Sequence, residues 1–367
     1  MEKGKGKYLM NMTLLLAFVA GLFYFMIKDH VNEVMGILSA MGTRELVALF
    51  VIAASSILIC GLLITTLGRK YNSKYSIQDG VSAHLISNMF YSITPMGVAT
   101  YPAFMYVYKK QKMNTEESIS MMMTQTLIKQ IFVALACFGL SVYFISHPTT
   151  VKIDDLGLTI NVGAMCILVC SLNFVSSSAL FAMCLSKRIH RVLSKLVYAM
   201  IRVFFDKSKE DAMQRKFDNK VQETEAALKM LLKDKVLLYK QLVLHFIKTL
   251  VLYGSPYLIY LLLDKSIIFD MNTFMYWYAV NMFACYAAAL IPVPGGIGAV
   301  ELLSICTLKT AVGGNIALIT SIIWVWRLLL HYSPIVLCAI LMLKPIRGKE
   351  RNTVSTMIPD GFEDYKK

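Results

Sequence analysis

Residues 291–301 read IPVPGGIGAVE, two prolines, three glycines and a carboxylate between two long apolar stretches. Proline removes a backbone donor and glycine loosens a helix, so against lipid this string would leave polar backbone groups unsatisfied at roughly several kcal/mol each. It has to face protein or a wet cavity. Working outward, residues 92–102, SITPMGVATYP, combine prolines, a glycine and hydroxyls in a similar apolar context in the first half of the chain. Two breaks in two halves point to a transporter-like architecture.

The surroundings of the breaks set the class. With 57% hydrophobic and 16% charged residues and a mean hydropathy of +0.58, the chain is far from soluble averages and reads as an all-α polytopic membrane protein. Runs of about 20 apolar residues, enough to cross the hydrocarbon core as a helix, recur. Six full spans are expected near residues 8–27, 46–67, 119–145, 158–185, 241–263 and 316–344. Residues 76–108 and 273–312 are apolar as well, but each contains its Pro/Gly break.

Lys and Arg accumulate on the cytoplasmic side. By that rule the N-terminus (Lys3, Lys5, Lys7), Arg69, Lys70 and Lys74, Lys109, Lys110 and Lys112, and the tail from Lys344 lie inside, while Asp264, Lys265 and Asp270 lie outside. Residues 76–108 then begin and end on the inner face, and 273–312 on the outer face, as re-entrant elements or short hairpins. Helix, broken element, helix occurs once upright and once inverted, an inverted repeat. Lys129 lies 34 residues after Pro95 and Arg327 lies 33 after Pro294, each near the middle of the helix after its break. The expected organisation is an N-terminal anchor helix and outer loop (1–45), a first membrane half (46–185), a connector (186–240), a second membrane half (241–344) and a tail (345–367), with both termini cytoplasmic.

The connector holds fourteen Lys or Arg against seven Asp or Glu, half of the net +14. Met213, Phe217, Val221, Leu228 and Leu231 recur in it at helical spacing, which predicts one or two amphipathic cytoplasmic helices. These either pack as a solvated connector or attract anionic lipid headgroups. Positive-inside bias already explains the charge and no recognition motif is present, so nucleic acid is not an expected partner.

Charges inside the spans carry the chemistry, because one at the bilayer centre costs at least about 2.5 kcal/mol and faces a cavity or a partner. Lys129, Lys248, Arg327 and Glu301 qualify. Three cations against one carboxylate suggest a cavity suited to a phosphate or another anionic headgroup. Arg327 has two readings, contact with that headgroup or a buried ion pair with Glu301, and Lys248 has a second one as a snorkelling side chain. Asn88 and Thr94 are expected to cap the first break, with headgroup contact as the alternative. His84, His245 and His331 read as satisfied packing residues. The breaks themselves are assigned to Pro95 and Gly97, and to Pro292, Pro294, Gly295, Gly296 and Gly298.

All eight cysteines fall in expected spans, where Cys behaves as a small apolar residue, so neither a disulfide framework nor a metal site is expected. The glycines near 295 lack the Lys and Ser/Thr of a phosphate-cradling loop, and no catalytic constellation or cofactor motif emerges. The N-terminal apolar run has no small-residue cleavage site and reads as an anchored helix.

The string from Pro292 to Glu301, together with Asn88 to Pro102 and its Thr94 and Pro95, resembles the lysylphosphatidylglycerol synthase transmembrane-region family, the flippase-like half of multiple peptide resistance factors, over roughly residues 8–344. Members of that family usually show Gly-Glu and then Arg after the first Thr-Pro, where this chain has Gly97, Val98 and Ala99. They often carry a Glu-Arg pair near the positions of Gln125 and Thr126, and Lys129 is one turn from there to replace the lost cation. The resemblance implies movement of a charged phospholipid or glycolipid, such as an aminoacylated phosphatidylglycerol, between leaflets of a prokaryotic plasma membrane, and a possible homodimer. Bifunctional members add a soluble aminoacyl-transferring domain. The sequence ends at Lys367, too soon for one, so the expectation leans against an enzyme despite the lysyltransferase label of the family. The alternative is a membrane subunit that works with a separately encoded synthase or transferase.

Overall fold

A computed structural model describes residues 35, 36, 39, 41–94, 97–153, 157–169, 171, 233–289 and 291–343. Helix α1 (Thr43–Tyr71) precedes α2 (Ile77–Ile93), α3 (Thr100–Lys110) and α4 (Thr115–Ser146). A ribbon of β1 (Thr150–Ile153) and β2 (Leu158–Asn161) follows. After the described residues resume come α5 (Lys235–Leu263), α6 (Met271–Ala288), α7 (Ala299–Leu308), a 3₁₀ turn (Lys309–Val312), α8 (Ile316–Arg327), a π turn (Leu328–Tyr332) and α9 (Ser333–Leu343). Four stretches are long and apolar enough to cross a membrane, Thr43–Tyr71, Glu117–Ser146, Lys235–Leu263 and Ile316–Ile340. They coincide with four of the six expected spans. The span at 8–27, most of that at 158–185, nearly all of the connector and the tail lie outside the described residues.

The same succession occurs twice: a long helix, two shorter helices around a break, and a second long helical stretch. Helices α1 and α5 have 29 residues each, α2 and α6 have 17 and 18, and α3 and α7 have 11 and 10. Each broken pair folds back on itself. Gln111, just past α3, donates from Nε2 to the Asp79 carbonyl in the first turn of α2 (2.8 Å), and the Tyr276 hydroxyl near the start of α6 donates to the Thr307 carbonyl near the end of α7 (3.0 Å). Local sequence starts these helices: Ser76 with Asp79 and Asn114 with Glu117 form capping boxes, and Asp270 caps α6. Small residues let α1 and α2 cross closely, since a methyl group at Gly80 would sit 2.3 Å from the Gly61 carbonyl oxygen.

Two expectations need correction. Residues 158–161 do not begin a span; they pair antiparallel with 150–153 in register Thr150↔Asn161 through Ile153↔Leu158, and residues 162–169 are helical. Apolar residues alternate on either side of the turn, Val151 and Ile153 before it and Leu158 and Ile160 after it, and Gly157 takes a positive φ of 60°, so the two-residue period prevails there over the helical one. The fold is thus mainly helical with one small ribbon. Helix α5 begins at Lys235, inside the stretch read as connector. The last span is one helix interrupted by a π turn. Pro334 has no N–H to offer the Leu330 carbonyl, and the turn just before it widens instead. Pro256 inside α5 poses the same problem for the Leu252 carbonyl, which accepts from the Trp326 indole at 2.8 Å. The core centres on α5, α6 and α8, with Trp277, Tyr257, Ile322 and Trp326 buried.

The two ends of the bundle differ in charge. At one end Lys70, closing α1, donates to Asp234 at 2.6 Å, and Tyr75 donates to Gln111 at 2.6 Å, amid Arg69, Lys74, Lys109, Lys110 and Lys112. At the other, Lys265 pairs with Glu45 at 2.8 Å and the Tyr143 hydroxyl donates to Asn272. The hydrogen bond from Lys70, helped by the Leu237 amide, holds the Asp234 carboxyl below its ordinary range. A carboxyl depressed in the folded state adds stability above its unfolded pKa of about 3.9, and that stability is lost as the pH falls through the lower folded value. Asp234→Asn retains the helix cap and loses the charge. Its thermal midpoint is expected slightly below wild type at pH 7, with the gap closing below about pH 4. A gap that persisted in acid would assign the loss to something other than this pair.

Candidate functional site

The site is assembled where the two breaks meet. Gly295, Gly296 and Gly298 have φ of 60°, 65° and 79°, a region costing other residues about 1–2 kcal/mol each, so this turn is open to glycine. The amide of Gly296 donates to the Val293 carbonyl, that of Ile297 to Pro294, and that of Leu302 to Gly298, which caps α7; exposed Pro292 precedes them. Gly295 is wedged between the last span and the first break, because a methyl group on it would lie 2.9 Å from His331 Nε2 and 3.2 Å from the Ser92 α-carbon. In the first break Gly97 has a φ of 64° with the Tyr91 ring against it. The Thr94 hydroxyl donates to the Phe90 carbonyl at 2.7 Å and accepts from the Ala99 amide at 3.3 Å, stapling the end of α2 to the start of α3. Pro95 lies outside the described residues.

The first turn of α7 carries Glu301 into the interior, where α8 supplies Arg327. Arg327 Nε donates to Glu301 Oε1 at 2.6 Å, and the two side chains are 7% and 4% exposed. Arg327 Nη2 also donates to the Gly295 carbonyl at 3.3 Å, fixing the guanidinium to the break. The π turn rotates Tyr332 into the same place, its hydroxyl donating to Glu301 Oε1 at 3.2 Å and its ring 5.5 Å from the guanidinium carbon. Buried Glu301 Oε2 and His331 Nε2 have no hydrogen-bond partner. Tyr91 of α2 and Cys285 of α6 are close enough to Arg327 to feel its charge.

A second group of basic residues lies deeper along α4 and α5. Lys129 of α4 and Lys248 of α5 interact electrostatically with each other and with His245, whose ring stacks on Phe132 at 5.7 Å. Lys248 and His84 both lie near Cys60. Lys129 is exposed and Lys248 half-buried, and among the described residues neither has an ion-pair partner. Both sit about 20 Å along their helices at the 1.5 Å rise per residue, near mid-depth for a hydrocarbon core of about 30 Å. A row of hydroxyl-bearing side chains lies along α5 and α6: Thr249, whose hydroxyl donates to the Phe246 carbonyl at 3.0 Å, neighbours Tyr278, Tyr253 meets Tyr278 edge to face at 5.8 Å, and Tyr286 neighbours Tyr253 and Cys285.

A family model described as lysylphosphatidylglycerol synthase TM region matches residues 12–338. The chain belongs to that family. It is a membrane protein whose family ties it to lipid chemistry. No curated protein sequence matches the chain significantly.

In this lysylphosphatidylglycerol synthase transmembrane-region protein, the residues singled out from the sequence fall into three places. Arg327, Glu301 and Gly295 form one cluster and Lys129 and Lys248 another, while Thr94 staples the first break as expected. Asn88 does not cap it; its amide nitrogen is buried without a partner. His331 is not the satisfied packing residue expected either. Tyr332, Tyr91 and the row Tyr253, Tyr278 and Tyr286 escaped sequence reading, because tyrosines in apolar helices carry no positional signal. For Tyr332 the hint was Pro334, two residues on. Among the described residues no group of His, Cys, Asp and Glu could hold a metal ion.

Proposed function

We propose that the protein carries a lipid with an anionic headgroup between the leaflets of a prokaryotic plasma membrane. One observation carries the reading: two lysines at mid-depth, Lys129 and Lys248, stand together with no carboxylate against them among the described residues. Arg327 is already neutralised by Glu301, so the uncompensated charge belongs to the lysines. Bringing two ammonium groups together in a low-dielectric region is unfavourable unless an anion completes the site. A phosphodiester does so while its acyl chains stay in lipid. The hydroxyl row from Thr249 to Tyr286 then offers a headgroup successive partners on the way to Arg327.

The folding back of both broken pairs supports re-entrant elements, and the repeated succession supports an inverted repeat with one element opening to each face. With the basic end of the bundle placed in the cytoplasm, both termini are cytoplasmic and the basic stretch from 186 to the start of α5 at Lys235 connects the two membrane halves.

The test is leaflet exchange in proteoliposomes with fluorescent phosphatidylglycerol, its lysyl ester and a glycolipid. Wild type should exchange a phosphate-bearing lipid, and Lys129→Gln with Lys248→Gln should slow it at least about tenfold at unchanged abundance, one lost charge-assisted hydrogen bond being worth roughly 1.5–3 kcal/mol. Undiminished exchange in the double variant would remove the lysines from the path. No exchange of any lipid by folded wild type would favour a membrane subunit acting with a separate synthase or transferase.

A further inference from the structure

The Glu301–Arg327 pair has more geometry than a structural tie needs. Glu301 is 3% exposed, and both its polar contacts, Arg327 Nε and the Tyr332 hydroxyl, fall on Oε1. Oε2 is buried and unpartnered. Arg327 also holds the Gly295 carbonyl, so one cation ties α7 to the break and faces the first broken element through Tyr91. The titratable groups around Glu301 are Arg327 from α8, Tyr332 from the π turn and Cys285 from α6, while His331 from the π turn lies against Gly295, whose carbonyl Arg327 holds. Among the described residues the ribbon and the 3₁₀ turn, which also touch α7, give it no ion-pair partner.

We propose that Glu301 is a proton-binding site, and that the protein moves an anionic lipid together with one proton by exchanging the partner of Arg327. The inference rests on the transport reading above. When no lipid is bound, Arg327 and Glu301 neutralise each other. When a lipid phosphate takes Arg327, a carboxylate is left in a buried place without its cation, one of the most costly arrangements in a protein. A proton from the side the lipid entered binds Oε2 and removes that charge. The loaded site then holds a guanidinium, a phosphate and a neutral acid. The empty site holds a guanidinium and a carboxylate. Both sum to zero, so neither state carries net charge across the membrane. On release of the lipid Arg327 returns to Glu301, and the proton leaves on the far side. The carboxylate therefore balances the arginine when the site is empty and carries a proton when it is full.

The test separates the two readings. Short-chain phosphatidylglycerol is titrated calorimetrically into purified full-length protein in buffers of different ionisation enthalpy at pH 7. Wild type should take up about one proton per lipid bound, as expected when a buried carboxylate loses its only cation. An infrared difference spectrum should show a protonated carboxylic acid appearing on binding, and Glu301→Gln should lose both signals. Lipid binding without proton uptake by wild type overturns the proposal and leaves transport standing. No lipid binding overturns the transport reading first. Because the wild-type titration decides, a Glu301→Gln protein that fails to fold does not rescue the idea, and one that folds and still takes up a proton places the site elsewhere.

Discussion

Arg327→Ala is expected to lower the thermal midpoint of the purified protein steeply and to abolish lipid exchange. Removing one partner of a buried ion pair leaves the other charge uncompensated and costs about 3–5 kcal/mol. Here the survivor would be Glu301, 3% exposed, with only the Tyr332 hydroxyl remaining on it. The Gly295 carbonyl would lose its donor as well. Loss of exchange alone would therefore say little, since an unstable protein transports nothing. A second variant, Arg327→Met with Glu301→Leu, removes both charges at similar volume and is expected to recover most of the lost stability. The decisive combination is a stable double variant that no longer moves lipid. A double variant with wild-type exchange would confine the pair to a structural role, and an Arg327→Ala protein as stable as wild type would mean that the buried pair contributes little in the membrane.

The pair was legible in the sequence as an alternative and not as a choice. Glu301 follows the proline–glycine string and Arg327 sits in the middle of an apolar run, so each had to find a cavity or a partner, and distance along the chain could not say which. The breaks were readable because proline and glycine act through the backbone, where the chemistry is local. Thr94 was readable for the same reason: its hydroxyl reaches Phe90 and Ala99, four and five residues away. The ribbon at 150–161 was missed because four-residue strands next to an apolar run look like the start of a span. The meeting of Lys129 with Lys248 is tertiary. It depends on the rotation of α4 against α5, which neither helix's own pattern fixes when both are apolar nearly all round.

The two halves also differ in a way that the sequence alone showed only in part. After the second break the carboxylate and the cation are both present and bonded. After the first, uncharged Val98 and Ala99 follow Gly97, and Lys129 remains without a carboxylate among the described residues. A paired site holds its own geometry when empty, whereas an unpaired one is completed by what binds to it. That asymmetry is why the lysines are the better candidates for first contact with a headgroup and the arginine for the step that follows.

If the contact between the breaks is what brings these sites into one path, Gly295→Ala should cost lipid exchange heavily. The new side chain meets two penalties. A positive φ of 60° costs a non-glycine residue about 1–2 kcal/mol. The methyl group then falls 2.9 Å from His331 Nε2 and 3.2 Å from the Ser92 α-carbon, and the second neighbour is backbone that cannot swing aside, adding roughly 1–3 kcal/mol of overpacking. Gly313→Ala supplies the control, because Gly313 has a φ of 65° with nothing within 4 Å of the added group. It meets only the first penalty and is remote from the breaks in sequence. Thermal midpoints of the two variants, read beside their exchange rates in proteoliposomes, separate backbone strain from contact. The excess loss in Gly295→Ala measures the contact with His331 and Ser92, and its exchange should fall far more than that of Gly313→Ala. Equal losses in the two variants would mean that the breaks do not press on one another, and the route from the lysines to Arg327 would have to be drawn without passing between them.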